Sequence, residues 1–523
     1  MTQKAYSDFN QVIDWIEYHA ATKPDARAMV DLASQRVFTY ADMHERVARA
    51  AGMLKDRGIA PGDRVAFLCL NTTDVMELIF ACWRVGAVCL ALNFRLTPPE
   101  LIYILNDSEA SLVLVDEPFA GVAKASVEAC PSVKCWIHTT GVGKDSDYEA
   151  GLAQASPVYD FHPQTYSEQA LLMYSSGTTG HPKGVIITHG MIEFTNAGAM
   201  RVGDARPDRV SLNNMPLFHI GGLGVTALPC LWIGGCCVIM RIFDVDATLK
   251  AIDDPDLSVA VLFMVPAAYN AMRLHPDIDK IDFSRIEIAL GGGETVPEPL
   301  SHFWLEKGLV IQEGYGMTET CAAGTTLRKE DIPHRIGSAG RPLSHSRIRV
   351  VDENGQEVPR GQTGEILFKG ASVTPGYWRN PEANAASFTD DGWFRSGDIG
   401  RMDADGYVYI EDRVKDMYIS GGENVYPAEI ESVIFEMPQF SELAVIGVPH
   451  EKWGETGCVV GVLEQDQSCT LDDVLAHLQG RLARYKLPGH LHIVTELPRG
   501  GSGKVLKYQL RKSVPDMLRQ SAS

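Results

Sequence analysis

The sequence lacks the marks of several large classes of protein. Its 47 Lys and Arg residues are outnumbered by 67 Asp and Glu residues, for a formal net charge of −20. A groove for nucleic-acid phosphates needs clustered basic residues, so no nucleic-acid partner is expected. No run of about 18 uncharged apolar residues is present, which argues against an integral membrane segment. The first residues also lack the basic and apolar regions of a signal peptide, so we expect a cytoplasmic protein.

Cysteine spacing excludes two further classes. The 11 cysteines are scattered along the chain, with one adjacent pair, Cys236 and Cys237, and no CxxC spacing. This pattern is typical of reduced, mostly buried thiols. A disulfide framework and a zinc site are therefore not expected.

The length and the order of the predicted elements indicate an α/β fold. The 523 residues suffice for two or more domains of about 100–200 residues each. Residues 39–42 form a capping-box pattern that begins a helix, residues 65–70 resemble a buried strand, and residues 74–83 are again helical. The alternation recurs around residues 112–115, 171–174 and 259–264. Strands that alternate with helices predict a parallel sheet covered by helices.

The pattern changes after about residue 340. Short strands are predicted at 348–351, 364–368 and 406–410, between turns rich in Gly, Asp and Asn. A further α+β stretch follows, with helices at 428–435 and 471–482 and strands at 444–448 and 457–463. We therefore predict a large N-terminal domain (1–412) of α/β subdomains plus a small β region. A hinge (413–416) and a smaller, mobile α+β C-terminal domain (417–523) complete the expected architecture.

The segment SSGTTGHPKG, residues 175–184, is the strongest local signal. Three glycines, four hydroxyl residues and a lysine occupy ten positions between two apolar runs. Glycines let backbone N–H groups approach phosphate oxygens, hydroxyls add donors, and Lys183 adds a mobile positive charge. The segment therefore predicts a phosphate-binding loop.

Three other interpretations fit less well. A plain hairpin turn needs only two to five residues. A Walker A loop shares the spacing of Gly177 and Lys183, but Pro182 replaces its second glycine and Gly184 its Ser or Thr. A GxGxxA match at 222–227 resembles a dinucleotide-binding turn, but Pro216 and Pro229 interrupt the strand and the helix that should flank it.

Five segments occur in order: SSGTTGHPKG, GYGMTE (314–319), WFRSGDIG (393–400), YIEDRVKDMYISGGENVYPAEIE (409–431) and GSGKVLK (501–507). Together they resemble the adenylate-forming enzymes, which include acyl-CoA synthetases, aryl-CoA ligases, luciferases and adenylation domains. The sequence around these segments is most similar to that of bacterial acid–CoA ligases for medium-chain fatty acids or hydroxycinnamates. The resemblance implies ATP and coenzyme A as co-substrates, with Mg²⁺.

The resemblance assigns residues to the ATP site. Lys504 matches the lysine that bridges the acid and the α-phosphate and stabilises charge in the transition state. Glu319 matches the Mg²⁺ carboxylate, and Thr318 a phosphate contact. Asp398 and Arg413 match the residues that bind the ribose. The other residues expected at ATP are Ser175, Ser176, Gly177, Thr178, Thr179, Gly180, Lys183, Gly292, Gly293, Glu294, Gln312, Glu313, Gly314, Tyr315, Gly316, Met317 and Ile410.

The resemblance also implies a second conformation for thioester formation. Lys415 occupies the hinge position, about which the C-terminal domain rotates between the two half-reactions. Lys504 would then leave the site, and His219 would gate the thiol tunnel. The residues expected to contact coenzyme A are Gly421, Gly422, Glu423, Trp453 and Tyr485.

The acid is the least defined substrate. The pocket is expected to be lined by Phe218, His219, Gly224, Gly291 and Ala322. Small residues leave space for a ring or a medium chain, and no charged residue stands out to hold a second carboxylate. We expect a medium-chain fatty acid or an aromatic acid of the hydroxycinnamic type.

The predicted reaction converts acid and ATP to acyl-AMP and pyrophosphate, then acyl-AMP and coenzyme A to acyl-CoA and AMP. Three alternatives share the ATP site: delivery of acyl-AMP to a carrier protein, a light-emitting oxygenase, and an ATP-binding module without catalysis. The sequence does not define the oligomeric state, and a homodimer is one alternative.

Overall fold

The computed structural model describes residues 10–175, 182–203, 206–332, 334–413, 416–420, 423–450, 453–479, 481–482, 484–499 and 505–521. For residues 412–413, 423–424 and 515–521 it describes the main chain alone. These residues form four sheets and the helices that cover them.

The strands are numbered in chain order. They are β1 (Arg27–Asp31), β2 (Arg36–Thr39), β3 (Arg64–Leu68), β4 (Val88–Ala91), β5 (Ala110–Asp116), β6 (Cys135–Thr139), β7 (Gln169–Ser175), β8 (Lys183–Thr188), β9 (Val210–Asn213), β10 (Cys236–Ile239), β11 (Val259–Met264), β12 (Ile288–Gly292), β13 (Ile311–Tyr315), β14 (Thr325–Thr326), β15 (Arg341–Pro342), β16 (Ser346–Val351), β17 (Thr363–Gly370), β18 (Phe394–Met402), β19 (Val408–Arg413), β20 (Tyr418–Ser420), β21 (Glu423–Val425), β22 (Phe440–His450), β23 (Gly454–Leu463) and β24 (His490–Ile493).

The helices are numbered in the same way. They are α1 (Trp15–Thr22), α2 (Tyr40–Asp56), α3 (Thr73–Val85), α4 (Pro98–Ser108), α5 (Ala120–Val127), α6 (Asp147–Gln154), α7 (His189–Val202), α8 (Leu228–Ile233), α9 (Val245–Asp253), α10 (Pro266–Arg273), α11 (Glu298–Glu306), α12 (Pro381–Ser387), α13 (Pro427–Ile434), α14 (Leu471–Leu478) and α15 (Lys507–Ser521). Among the helices that the structure describes, none combines the length and the hydrophobicity needed to cross a bilayer.

Two large, mainly parallel sheets make up most of the chain. The first has the order β6-β5-β3-β4-β7-β8 and is parallel except for β8. Strand β5 is buried at every position, as expected for a strand with helices on both faces of its sheet. The second has the order β15-β14-β13-β12-β11-β9-β10-β1-β2, in which β1, β9, β10, β11, β12 and β13 run parallel. This confirms the predicted α/β fold.

A salt bridge joins the two large sheets where their strands end. Arg241, just after β10, lies 2.7 Å from both carboxylate oxygens of Asp116, the last residue of β5. The Asp116 side chain is fully buried. The carboxyl ends of the strands in both sheets therefore meet, and in parallel sheets this is the edge at which ligands bind.

The later strands form two smaller sheets. Strands β16 to β19 form a four-stranded antiparallel sheet, which is the predicted small β region. Strands β21, β20, β23 and β22 form another sheet with β24 paired to β23, and α13, α14 and α15 pack against it. Its two hydrophobic clusters draw their buried residues from 418–514.

The local predictions can be compared with these bounds. The capping box of Thr39 and Asp42 is confirmed at the start of α2. The predicted helix at 471–482 is too long, because α14 ends at Leu478 and Gln479 has an extended conformation. Pro229 does not end a helix: residues 220–233 are helical throughout, and the π-helix 222–227 lies just before Pro229. The GxGxxA match at 222–227 forms a π-helix and not a strand-to-helix turn.

Candidate functional site

A large cleft opens where the carboxyl ends of β9, β11, β12 and β13 approach β7, β18 and the start of α15. Its volume is about 2130 Å³. Pockets for one small molecule are usually about 300–1,000 Å³, so this cleft has room for more than one ligand.

Glu319 is the buried carboxylate of this cleft. It lies in a 3₁₀ turn after β13 and is 8% exposed. Its Oε1 accepts hydrogen bonds from Ser175 Oγ at 3.2 Å and from the Tyr377 hydroxyl at 3.1 Å. Burial raises its pKa. Within the described part of the chain, no lysine or arginine forms a salt bridge with it.

The two ends of the predicted phosphate loop meet at this carboxylate. Ser175 and Lys183 are partners in the β7–β8 ladder, which confirms that the loop runs from strand to strand. Lys183 Nζ lies 5.2 Å from the centre of the Tyr377 ring, whose hydroxyl contacts Glu319. The loop's lysine and Glu319 therefore share one aromatic neighbour.

The donor set fits a magnesium ion that shares its ligands with a substrate. Glu319 has two neutral hydroxyl partners and no described protein cation, so its negative charge is not neutralised internally. Among the described residues, no group of three or more His, Cys, Asp or Glu side chains could hold a metal by itself. Mg²⁺ commonly takes one or two carboxylates and completes its shell with phosphate and water oxygens.

A second carboxylate, Asp398, lies on β18. The Tyr315 hydroxyl donates to Asp398 Oδ2 at 2.7 Å. Asp398 is directly opposite Arg413 in the β18–β19 ladder, which places the two predicted ribose-binding residues side by side. Tyr315 and Ile410 pack on the same small hydrophobic cluster of the β16–β19 sheet.

Two glycines keep the cleft floor open by close backbone approach. A Cβ atom on Gly292 would lie 2.7 Å from the Gly314 carbonyl oxygen, and one on Gly316 would lie 2.0 Å from that of Ala322. Any side chain at these positions would displace the backbone. The ends of β12 and β13 therefore pack backbone against backbone, and Gln312, two residues before Gly314 on the same face of β13, also lines the cleft.

Glu313 points away from the cleft. Its Oε1 accepts from the Val296 N–H at 3.3 Å, and burial raises the pKa of its carboxyl to about 8. Its side chain is therefore not available to a ligand in the cleft. Glu294 is exposed, beyond the end of β12.

The predicted acid-pocket residues lie on one side of the cleft. His219, Gly224, Gly291 and Ala322 line it, whereas Phe218 packs behind it with its ring 4.9 Å from that of Phe94. Gly224 belongs to the π-helix 222–227, an uncommon conformation that is often found at functional sites. A Cβ on Gly224 would lie 3.2 Å from the Ala322 Cβ, so a larger residue at either position would narrow the pocket.

Backbone strain accompanies this wall. Cys321 has φ 53° and Ala322 has φ 81°, both in the left-handed region that non-glycine residues rarely adopt. Such residues concentrate at functional sites, where the surrounding structure compensates for the strain. Here they lie two and three residues after Glu319 and bring Ala322 opposite Gly224.

The structure places other predicted residues apart from the cleft or does not describe them. Trp453 and Tyr485 are 46% and 40% exposed and do not line the cleft. Outside the described residues lie Ser176, Gly177, Thr178, Thr179, Gly180, Lys415, Gly421, Gly422 and Lys504. For Arg413 and Glu423 the structure describes the main chain but not the side chains.

Tyr377 is a site residue that sequence reasoning missed. It reaches Glu319 because the segment before it pairs with β8, with the Ile186 N–H donating to the Gly376 carbonyl at 3.1 Å. Nothing in the local sequence marks this contact, since the two residues are 58 positions apart.

Comparison with known families finds two matches. The AMP-binding enzyme model matches residues 16–378, and the model of the AMP-binding enzyme C-terminal domain matches residues 429–504. Together they cover most of the chain. The first match contains most of the residues that line the cleft, and the second contains most of the sheet formed by β20 to β24.

Named relatives are similar over almost their whole length. A feruloyl-CoA synthase of Amycolatopsis sp is 40% identical over 476 residues, covering 91% of this chain and 93% of the relative. The long-chain-fatty-acid–CoA ligase FadD13 of Mycobacterium tuberculosis is 37% identical over 506 residues, covering 96% of this chain and 98% of the relative. A solved structure of o-succinylbenzoate CoA synthetase from Bacillus subtilis, in complex with its acyl-adenylate intermediate, has a TM-score of 0.85 at 31% identity. That match covers 96% of this chain and 98% of the other.

Proposed function

The chain belongs to the AMP-binding enzyme family, and we propose from this premise how its residues carry out the reaction and which acids it accepts. It is an AMP-forming acid–thiol ligase that uses ATP and coenzyme A. The acid we propose is aromatic, of the hydroxycinnamic type, or a medium-chain fatty acid. The relatives support aromatic and fatty acids as the two broad classes, since one is named for ferulate and another for long-chain fatty acids.

The observation that carries the proposal is the environment of Glu319. A buried carboxylate with no protein cation among the described residues is unfavourable unless a ligand supplies the positive charge. Glu319 would hold Mg²⁺, which offsets the phosphate charge of ATP when bound. Ser175 and Tyr377 fix the direction of the carboxylate, and Lys183 lies at the same end of the cleft.

In the first half-reaction a carboxylate oxygen of the acid attacks the α-phosphorus of ATP. The bond from the α-phosphorus to the bridging oxygen breaks, and pyrophosphate leaves. We assign Lys504 to the charge that develops between the two anions, Thr318 to a phosphate, and Asp398 with Arg413 to the ribose. The short contact between Tyr315 and Asp398 supports this, because it orients the carboxylate beside the cleft.

In the second half-reaction the thiol sulfur of coenzyme A attacks the acyl carbon. The bond between that carbon and the phosphate oxygen breaks, AMP leaves, and the thiol proton passes to solvent. We propose that the C-terminal domain (417–523) rotates about Lys415 in the hinge (413–416) relative to the N-terminal domain (1–412). Gly421, Gly422 and Glu423 would then face the cleft, and Trp453 and Tyr485 would contact the nucleotide of coenzyme A. The exposure of these two aromatic rings supports a role in binding.

The test separates the two half-reactions. Lys504→Ala should nearly abolish pyrophosphate release from acid and ATP, yet leave thioester formation from supplied acyl-AMP largely intact. Lys280→Ala is the control, because Lys280 is an exposed lysine paired with Asp277 far from the cleft. Equal loss of both half-reactions in Lys504→Ala would contradict the two-conformation mechanism.

The acceptor and the cellular setting have separate tests. AMP release that requires coenzyme A supports the ligase, whereas release that requires a carrier protein would favour the first alternative; oxygen uptake would favour a light-emitting oxygenase. We propose a cytoplasmic location, which the 11 unpaired cysteines support. A homodimer is a further proposal, and light scattering on the purified protein is its test.

A further inference from the structure

The acid side of the cleft continues as an arm between the second sheet and two helices. Val261, Phe263 and Leu290 of β11 and β12 form one wall, and Val225, Pro229 and Ile233 of the π-helix and α8 form the other. All six side chains are apolar. An acid whose carboxylate lies at the ATP site would extend its body into this arm.

Ser211 on β9 is a polar residue among these apolar side chains. Its neighbours Val210 and Leu212 do not line the cleft, so Ser211, between them, points to the arm. The residue is 3% exposed, and its hydroxyl has no hydrogen-bond partner among the described residues. A buried hydroxyl without a partner is unfavourable, and most native buried polar groups are paired.

The other hydroxyls of the arm already have neighbours of their own. Thr226 donates to the Asn213 side chain at 3.0 Å and is also 3.0 Å from the Gly222 carbonyl oxygen. Thr195 also lines the cleft with a hydroxyl that has no hydrogen-bond partner among the described residues, but it lies beside Cys321, two residues after Glu319 and so near the ATP end of the cleft. Ser211 is therefore the hydroxyl without a described partner that is placed to meet the far end of the acid.

The strand register gives its distance from the reacting end. Ser211 pairs with Val261, and Val261 pairs with Ile288, so these three residues lie at the same level of the parallel sheet. Gly292, at the open end of β12, is four residues further along the strand. At about 3.3 Å per residue, Ser211 lies roughly 13 Å deeper than the strand end.

We propose that Ser211 hydrogen-bonds an oxygen at the far end of the acid, so that the preferred substrate is an aromatic acid with a ring hydroxyl. This inference rests on the proposed ligase function and chooses between its two acid classes. An unsubstituted acyl chain would bury the Ser211 hydroxyl against methylene groups and leave it without a partner. A rigid conjugated acid with a hydroxyl opposite its carboxylate supplies that partner at nearly the required distance and loses little conformational entropy on binding.

The experiment compares cinnamic acid with its para-hydroxy derivative on the wild type and on Ser211→Ala. The wild type should prefer the hydroxylated acid in kcat/KM. In Ser211→Ala this preference should fall about tenfold, because the ring hydroxyl loses its partner while the other contacts remain. The change should appear mainly in KM, as expected for an interaction made equally in the ground state and the transition state. The value for cinnamic acid should be retained or rise, because the variant no longer buries an unpaired hydroxyl against the ring, and this activity also reports that the variant is folded.

Two controls accompany the comparison. Ser132→Ala removes another serine hydroxyl without a partner among the described residues, but outside the arm, and should leave the preference unchanged. Ser211→Thr keeps a hydroxyl and should retain most of the preference.

The outcomes distinguish the two proposals. An active enzyme whose preference is the same in wild type and Ser211→Ala, or that prefers medium-chain fatty acids to both aromatic acids, would overturn the role of Ser211 and leave the ligase function standing. Failure to release pyrophosphate with any acid of a broad panel would instead overturn the proposed function.

Discussion

Two groups of buried carboxylates in this protein are neutralised in different ways. In the first group, Asp74 and Glu77 of α3 have fully buried side chains, and both contact arginines. Arg46 reaches Glu77 and Glu149 at 2.7 Å, and Arg36 reaches Asp74 and Glu149 at 3.0 Å. Burial alone lowers the pKa of Arg46, but Glu77 and Glu149 more than reverse this, so the guanidinium stays charged.

In the second group, the side-chain partners described for Glu319 are the hydroxyls of Ser175 and Tyr377, at 3.2 and 3.1 Å. The carboxylates of both groups are buried and hydrogen-bonded. The difference is the source of the positive charge: the first group obtains it from the fold, and the second, within the described residues, does not. This contrast separates a carboxylate that stabilises the structure from one that is available to a ligand.

The largest effect is expected from breaking the first group. Arg46→Met removes one partner of a buried ion pair and leaves Glu77 without its bidentate partner, which should lower the free energy of unfolding by about 3–5 kcal/mol. Urea unfolding of the wild type and the variant measures this. Arg379→Met is the control, because its pair with Glu109 is exposed and should contribute no more than about 1 kcal/mol. Similar losses in both variants would contradict the assignment.

The next effect is expected from Glu319→Gln, and it should appear in activity and not in stability. Glutamine keeps an acceptor for Ser175 and Tyr377 but cannot supply a negative charge to Mg²⁺. Pyrophosphate release should fall about 100-fold, a typical cost of losing one preorganised electrostatic contact. The melting temperature should change little, since no ion pair is broken. Glu306→Gln, at an exposed position on α11, is the control. A large fall in melting temperature with unchanged activity would assign Glu319 to the structural group.

A third effect, which depends on pH, concerns Glu313, which is buried with neither a described cation nor a place in the cleft. Burial raises its folded-state pKa to about 8, above the ordinary value of 4.5, so the folded protein keeps the proton that the unfolded chain releases. Its stabilising contribution is therefore complete below about pH 4.5 and is lost as the pH rises to about 8, at up to roughly 1.4 kcal/mol per pH unit.

Glu313→Gln should remove this pH dependence while keeping an acceptor for the Val296 N–H. Unfolding free energies of the wild type and the variant at pH 6 and pH 8 provide the measurement. The free energy of unfolding of the variant, relative to that of the wild type, should be higher at pH 8 than at pH 6. If the two proteins instead lose the same stability between these pH values, Glu313 is ionised in the folded protein.

Local sequence predicts much of the fold and of the site. The capping box of α2, the buried parallel strands and the antiparallel β region all have short-range signals, and each is present. Glu319 and Asp398 lie in segments whose letters resemble a known family, and the structure brings both to one cleft.

The rest depends on contacts between distant parts of the chain. Tyr377 meets Glu319 only because its segment lies against β8, and Ser211 faces the arm because of its register in the second sheet. The π-helix at 222–227 was also not predictable. Its sequence matches the pattern of a dinucleotide-binding turn, and the helix packs against β9, which precedes it, and β11, which follows it along the chain. In each case the residue type alone gives no indication of function, and the role follows from the residue or strand that it contacts in the fold.

The position of β1 in the second sheet has a consequence for synthesis of the chain. The first large sheet uses strands from one continuous stretch, β3 to β8, so it can form as soon as that stretch has emerged. Met29 of β1, in contrast, pairs with Cys237 of β10. At 5–20 residues per second, the roughly 200 residues between them take about 10–40 s to translate. The hairpin β1–β2 is therefore made long before β10, and its β1 edge is unpaired in the meantime; a ribosome that pauses before residue 236 leaves that edge available to other unpaired strands.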